Sequence, residues 1–306
     1  MKLSIVSTLF LSQEHIEEFY LRLITVLNDL SIIEFEILLV DDGSPDDSLK
    51  IAKKLASKNN NVKVIELSRN FGHHRAMMTG LRYATGDRVF LIDSDLEERP
   101  EYLKDFMRTM DHNSCDVVFG VQDSRKGSIF EKLSGTFFWK LINFLSGLNF
   151  SKNISTIRLM KKEYVLSLLQ HQEQEIFIAG LWLITGYDQT PFIIQKTSKP
   201  SSTYSLNAKI KLLVNAITSF SNKPLVNIFY LGVFILFGAI SYIVYLVIGW
   251  FFFITPIPGW TSVIASVWLL GGLIISFIGV VGIYLSKVFI ETKKRPYSIV
   301  KKVHEK

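Results

Sequence analysis

Apolar positions in the amino-terminal two-thirds of the chain follow two rhythms. Compact runs rich in Val, Ile and Leu, at Leu3–Thr8, Glu36–Val40, Val62–Leu67, Arg88–Ile92 and Asp116–Val121, predict β-strands. Between them the spacing lengthens to that of an amphipathic helix, and Ile16, Phe19, Leu23, Val26 and Leu27 share one face of the first. The second helix is predicted to open with Ser44 as its cap, Pro45 in the first helical position and Asp46 and Asp47 in the first turn. Strand and helix in alternation predict an α/β fold with a mainly parallel sheet, whose ligands bind at the carboxyl ends of the strands. The opening "MKLSIVSTLFLS" has the basic start of a signal peptide but a short apolar stretch and no clear cleavage pattern, so it reads as the first strand.

A third rhythm has no polar face at all. Between Lys223 and Lys287 the chain has no charged side chain and no histidine. A helix needs about 20 apolar residues to cross a bilayer, and this stretch holds two, expected at Leu225–Ile254 and Thr261–Ser286 with a turn at Thr255–Trp260. Two further segments, about 127–150 and 206–224, carry apolar residues at helical spacing beside lysines. A core helix would fit either of them; next to two spans, helices lying in the membrane interface fit better. The predicted organisation is an α/β domain over 1–205, a juxtamembrane helix over 206–224, two spans over 225–286 and a basic tail over 287–306.

Charge refines that picture. The 306 residues hold 34 Lys and Arg against 28 Asp and Glu, a net charge of +6. Seven Lys or Arg fall in 287–306 against Glu291 and Glu305, so the excess sits beside the spans. It points to anionic lipid headgroups and not to nucleic acid. Lysines flank the pair of spans while their turn is uncharged, which predicts that both chain ends lie in the cytoplasm. Cys115 is alone, so no disulfide can form within the chain, as suits a reducing compartment.

Candidate chemistry gathers at predicted strand ends. In "VFLIDSDLEERP", Asp93 and Asp95 follow the fourth strand; positions two apart share a face, so both carboxylates can converge on one point. Two carboxylates with water and substrate phosphates make an oxygen shell suited to Mg²⁺ or Mn²⁺. Asp41 and Asp42 end the second strand, where carboxylates accept hydrogen bonds from a base or ribose, or cap the next helix. Arg69 and Asn70 follow the third strand, and Gly72 allows a tight entry into the next helix. Arg69 fits a diphosphate clamp or a structural partner of the aspartates equally well. His73 and His74 read as surface or pocket-wall residues. Neither a GxGxxG loop nor a Walker phosphate loop is present, which removes the main support for a dehydrogenase or an NTPase.

The stretches "VDDGSPDDS", "LSRNFG", "IDSDLEERPE", "DVVFGVQDSR", "RLM" and "ITSFSNKPL" run in order along nearly the whole chain. Together they resemble the family-2 glycosyltransferases that act on polyprenyl phosphate, the bactoprenol glucosyl transferases and dolichol-phosphate mannose synthases. The resemblance implies a GT-A fold and inverting transfer of one sugar, UDP-glucose being the first donor to consider, from a nucleotide-sugar to polyprenyl phosphate. It also implies a homo-oligomer, a tetramer in the family, in a bacterial inner membrane and serving surface-glycan synthesis. It puts Asp41 and Asp42 on nucleotide-contacting positions, Asp93 and Asp95 on a metal motif, and Arg125 and Arg158 on basic positions that handle phosphates in catalysis; Thr8, Arg69, Asn70, Gly72 and Asp93 complete the candidate nucleotide-sugar site.

Three positions depart from the family pattern. "STLFLSQ" stands where "VPVYNEE" is usual, Glu97 where a Gln commonly follows the metal motif, and Thr156 where an acid precedes "RLM". Two other readings follow. A processive polysaccharide synthase would need a longer membrane region and a "QxxRW"-like motif, and neither is found. A catalytically degenerate scaffold of a glycan-export complex is the non-enzymatic reading, motivated by those departures.

Overall fold

The computed structural model describes residues 1–122, 153–174, 176–196, 221, 223–252 and 259–306. The two segments expected to lie in the membrane interface, apart from the last residues of the second, and Arg125 fall outside them. The chain divides into two compact units, one built on a sheet and one on a pair of long helices.

Eight strands form the sheet unit: β1 (Leu3–Leu9), β2 (Phe35–Asp41), β3 (Val62–Leu67), β4 (Arg88–Leu91), β5 (Val117–Gln122), β6 (Ile154–Lys161), β7 (Gln189–Ile194) and β8 (Val300–His304). Their order is β7-β5-β6-β4-β1-β2-β3-β8, with only β6 and β8 antiparallel to their neighbours. The chain winds from β1 through β2 to β3 on one side and then crosses to β4 on the other. The switch in direction opens a crevice where β1 and β4 end. Helices α1 (Ile16–Asp29), α2 (Ser48–Lys58), α3 (His73–Tyr83), α4 (Tyr102–Asn113), α5 (Lys162–Leu168) and α6 (Ile178–Ile184) complete this unit among the described residues.

The five strands expected from the sequence form within a residue or so of their predicted bounds, because each buries a nearly continuous apolar run. Ile16, Phe19, Leu23, Val26 and Leu27 of α1 are all buried in the main core beside Leu3, Ile5, Ile37 and Phe90. One start differs: α2 begins at Ser48, not just after Ser44. The Ser44 hydroxyl instead donates to Asp46 (2.6 Å), while it is Asp46 that accepts from the Ser48 N–H at the start of the helix (3.1 Å). The stretch from Ser44 to Asp47 is thereby a turn that ties itself to the β1–α1 loop, where the Leu11 N–H donates to Ser44 Oγ (2.8 Å).

The second difference is the carboxyl-terminal segment. It is not simply a basic tail, since β8 pairs antiparallel with β3 on the sheet edge. Val300 packs against the cluster of Val40, Ile65, Leu67, Phe71 and Ala76. Glu66 on β3 is only 5% exposed, and it accepts from Lys301 (2.6 Å) and His304 (2.7 Å) and pairs with Lys53 (2.8 Å). An edge strand that buries a carboxylate needs cations opposite it, and part of the basic run supplies them.

The second unit contains α7 (Lys223–Phe252) and α8 (Trp260–Thr292), close to the predicted spans although Trp260 begins the second helix instead of ending the turn. Both are long and apolar enough to cross a membrane. Their apolar side chains are not tucked into a core: Phe234 is 76% exposed and Ile275 73%. Exposed apolar rows of this length suit association with a membrane.

Candidate functional site

Four loops meet at the switch point. Backbone packing sets the first pair: Gly43 has a left-handed backbone (φ +64°), and a Cβ there would lie 2.5 Å from Asn70 N. Only glycine permits the β2–α2 and β3–α3 loops to approach so closely. Asp42 then reaches across and accepts from the N–H groups of Phe71 (2.7 Å) and Gly72 (2.9 Å). Burial raises the Asp42 pKa, partly offset by those N–H groups and by Arg69 and Arg75. Asp42 is thus a strut for the loop that carries Arg69 and Asn70, besides facing the cleft. Arg69 lies over the Phe71 ring at 4.3 Å.

Asp41 is buried and its Oδ1 has no hydrogen-bond partner. Burial pushes it up to about 6, against the pull of the Ser44 and Gly43 amides. An enclosed acceptor with an open lone pair can take an N–H or O–H from a ligand. Thr8, Leu9, Phe10, Asp42, Asn70, Gly72 and His73 line a cleft of about 180 Å³ beside it. A larger open cleft of about 400 Å³, with Tyr20, Phe35, Asn59 and Lys306 among its walls, lies at the amino ends of β2 and β3, away from all of this chemistry.

Asp93 and Asp95 sit on the fourth loop. Ser94 between them is buried and donates to Thr8 O (2.9 Å), which fastens the loop to the end of β1. Leu96 takes a left-handed conformation (φ 59°), and the turn brings the Glu97 N–H onto Asp95 Oδ1 at 3.0 Å. Asp93 Oδ1 is shielded from solvent and accepts no hydrogen bond. Burial, then the charges of Glu98 and Asp95, push Asp93 up to about 8, and Lys196 and the Thr156 hydroxyl only partly offset this. Concentrated negative charge on two neighbouring carboxylates fits a divalent cation. Among the described residues no three His, Cys, Asp or Glu side chains form a metal cluster. The protein would therefore give two carboxylates, leaving the other positions to water and diphosphate oxygens.

Two residues that carry this arrangement, Lys196 and Glu98, were not singled out from the sequence, and a third, His73, was read there only as surface or pocket wall. Lys196, just past β7, places its ammonium 3.0 Å from Glu98 and 3.9 Å from Glu97. Glu98 is fully buried and also accepts from the Ser155 hydroxyl. His73 stands between Thr8 and Asp93, with Nδ1 3.1 Å from Thr8 Oγ1 and Nε2 3.4 Å from Asp93 Oδ1. Only the position of His73 after "RNFG", at the mouth of a helix following a strand end, hinted at its place. Arg158 is not at the cleft surface among these residues. It is 1% exposed, with its guanidinium over the Trp182 ring (3.0 Å), and burial pushes it down to about 9. Its place on β6, opposite Leu91 of β4, sets it in a layer supporting the neighbouring Thr156.

The family follows from comparison. The profile described as "Glycosyl transferase family 2" matches residues 4–169. The chain belongs to glycosyl transferase family 2. A protein of Mycobacterium tuberculosis (strain CDC 1551 / Oshkosh), described only in general terms as a glycosyltransferase, is 48% identical over 304 residues, covering 99% of this chain and 89% of the relative. The SfII prophage-derived bactoprenol glucosyl transferase of Shigella flexneri is 30% identical over 306 residues, covering 99% of each. Among solved structures, glucosyl-3-phosphoglycerate synthase from Mycobacterium tuberculosis, in complex with Mn²⁺, UDP-glucose and phosphoglyceric acid, aligns with a TM-score of 0.48 at 19% identity, over 71% of this chain and 79% of that one. The mainly parallel α/β sheet of this family-2 glycosyltransferase is GT-A-like, and its two apolar helices associate it with a membrane.

Proposed function

We propose that this glycosyltransferase moves one sugar from a nucleotide-sugar, UDP-glucose first among the donors, to polyprenyl phosphate at the cytoplasmic face of a bacterial inner membrane. The product would serve surface-glycan synthesis or modification. The observation that carries the proposal is the joining, in one chain, of a carboxylate pair at the sheet's switch point to two lipid-length helices. End-to-end similarity to a bactoprenol glucosyl transferase supports the choice of acceptor.

The loop braced by Asp42 holds the nucleotide, with Thr8 and Asn70 lining its cleft and the open Oδ1 of Asp41 available to an N–H or O–H of the nucleoside. The lipid phosphate oxygen attacks the anomeric carbon opposite the diphosphate. The bond from that carbon to the diphosphate oxygen breaks, and the configuration inverts. Held by Asp93 and Asp95, Mg²⁺ or Mn²⁺ supplies charge that stabilises the departing diphosphate. Lys196, kept in place by Glu98, adds positive charge at the same end of the sheet. By analogy with phosphate esters, the acceptor's second pKa is near 6, so it is already a nucleophilic dianion at neutral pH. Thr156 in place of an acid is consistent with chemistry that needs no general base.

Purified full-length protein, given a panel of nucleotide-sugars and undecaprenyl phosphate, should form a single lipid-extractable glycosyl phosphate with one preferred donor. Polymeric product would instead establish a processive synthase. A folded protein that turns over no donor would establish the scaffold.

A further inference from the structure

His73 spans the two strand ends that define the crevice. β1 and β4 are paired neighbours, with Val6 opposite Leu91, so Thr8 and Asp93 stand side by side just beyond them. Gly72, at φ +102°, turns the chain so that α3 starts directly over this point. The ring is about half exposed (47%), yet both of its nitrogens face protein groups: Nδ1 lies 3.1 Å from the Thr8 hydroxyl and Nε2 3.4 Å from Asp93 Oδ1. One tautomer serves both contacts. With the hydrogen on Nε2, Nδ1 accepts from the Thr8 hydroxyl and the Nε2–H is left beside the carboxylate, near it but without a formed hydrogen bond.

Asp93 has need of such a donor. Its neighbour Ser94 is pinned through Thr8 O and Ser12 Oγ, which fixes the backbone, and the Thr156 hydroxyl touches the Asp93 side chain. Its Oδ1 accepts no formed hydrogen bond, and Nε2 of His73 lies 3.4 Å from it. Carboxylates that bind metals are themselves hydrogen-bonded, and their partners fix which oxygen faces the ion.

We propose that His73 is a positioning residue: its Nε2–H holds one oxygen of Asp93 so that the other faces the metal, and the Thr8 hydroxyl sets the orientation of the ring. This rests on the reading of Asp93 as a metal ligand. It makes Thr8, a wall of the nucleotide cleft, the outer end of a three-residue chain that ends on the metal site. A His73 that merely lined the cleft would act on nucleotide affinity and leave the metal alone.

Mn²⁺ is titrated against the full chain with UDP saturating, free Mn²⁺ being read by electron paramagnetic resonance; UDP affinity in EDTA is measured separately. His73→Ala should weaken Mn²⁺ binding about 10- to 100-fold, the range typical of such outer partners, well beyond any change in UDP affinity in EDTA. His73→Gln, which can still present an amide N–H, should recover most of the loss, and Thr8→Val should show a smaller one. In transfer assays His73→Ala should need more Mn²⁺ to reach half of its own maximal rate. Wild-type Mn²⁺ affinity in folded His73→Ala would overturn the inference, as would a loss confined to UDP affinity or a His73→Gln no better than Ala. If wild type retains no Mn²⁺, or Asp93→Asn retains it normally, the reading of Asp93 fails and takes this inference with it.

Discussion

Changing Asp95 to Asn removes a negative charge beside Asp93 but keeps the oxygen that accepts the Glu97 N–H. Transfer should fall on the order of a hundredfold or more, since electrostatic stabilisation of a leaving group is usually the largest single contribution to such catalysis. Thr156→Ala should cost less than about tenfold, because only a hydroxyl touching Asp93 is lost and the acceptor is already ionised. Rates measured with saturating donor and lipid phosphate check both, and a loss at Thr156 as deep as at Asp95 would show that a base acts there. Gly43→Ala tests the loop crossing. It imposes about 1–2 kcal/mol of left-handed strain and pushes a methyl into Asn70 N, so UDP affinity should drop at least about tenfold and the melting temperature should fall. Asp41, Asp42, Asp93 and Asp95 were legible because their meaning is local, a pair of carboxylates ending an apolar run. Lys196 and Glu98 were not, because they meet across about a hundred residues of chain with no motif between them. The buried setting of Arg158 was equally hidden, since an arginine in sequence carries no sign of the tryptophan that covers it.

At the scale of elements, β8 offers the clearest test. Burial alone would raise the Glu66 pKa, but Lys301, Lys53 and His304 outweigh it and hold Glu66 down at about 2. A carboxylate lowered from its ordinary 4.5 stabilises the fold fully above that pH, and the contribution is lost as pH falls from 4.5 toward 2. Wild type should therefore lose thermal stability through that window, and Glu66→Gln should be less stable at neutral pH, on the order of 5 °C, with a flatter acid limb. Hydrogen exchange should show β8 amides opening first in acid. The strand escaped sequence reading because "VKKVH" is short and basic, so its charge spoke for lipid while its alternation was too brief to speak for a sheet. The first five strands were readable for the opposite reason: largely buried on both faces, they are rich in Val, Ile and Leu.

For the whole molecule, the proposed topology has the sheet and residue 306 on one side of the membrane and Trp260 on the other. β8 belongs to the same sheet as β1 and β4, so a chain that leaves through α7 must return after α8, which supports two crossings. Trp260→Cys should react with an impermeant maleimide added outside intact inner membrane, and Lys306→Cys should not; the reverse labelling would refute the orientation. The native thiol adds little background, as Cys115 is fully buried. The placement of β8 also bears on biosynthesis. Because it lies downstream of both apolar helices, the ribosome makes the strand that covers the β3 edge only after those helices have been synthesised. Until then, β3 presents an unpaired edge with Glu66 lacking two of its partners. The enzyme's soluble half thus cannot reach its final form ahead of its anchor, and a chain stalled before α8 would display an open sheet edge for proteases to find.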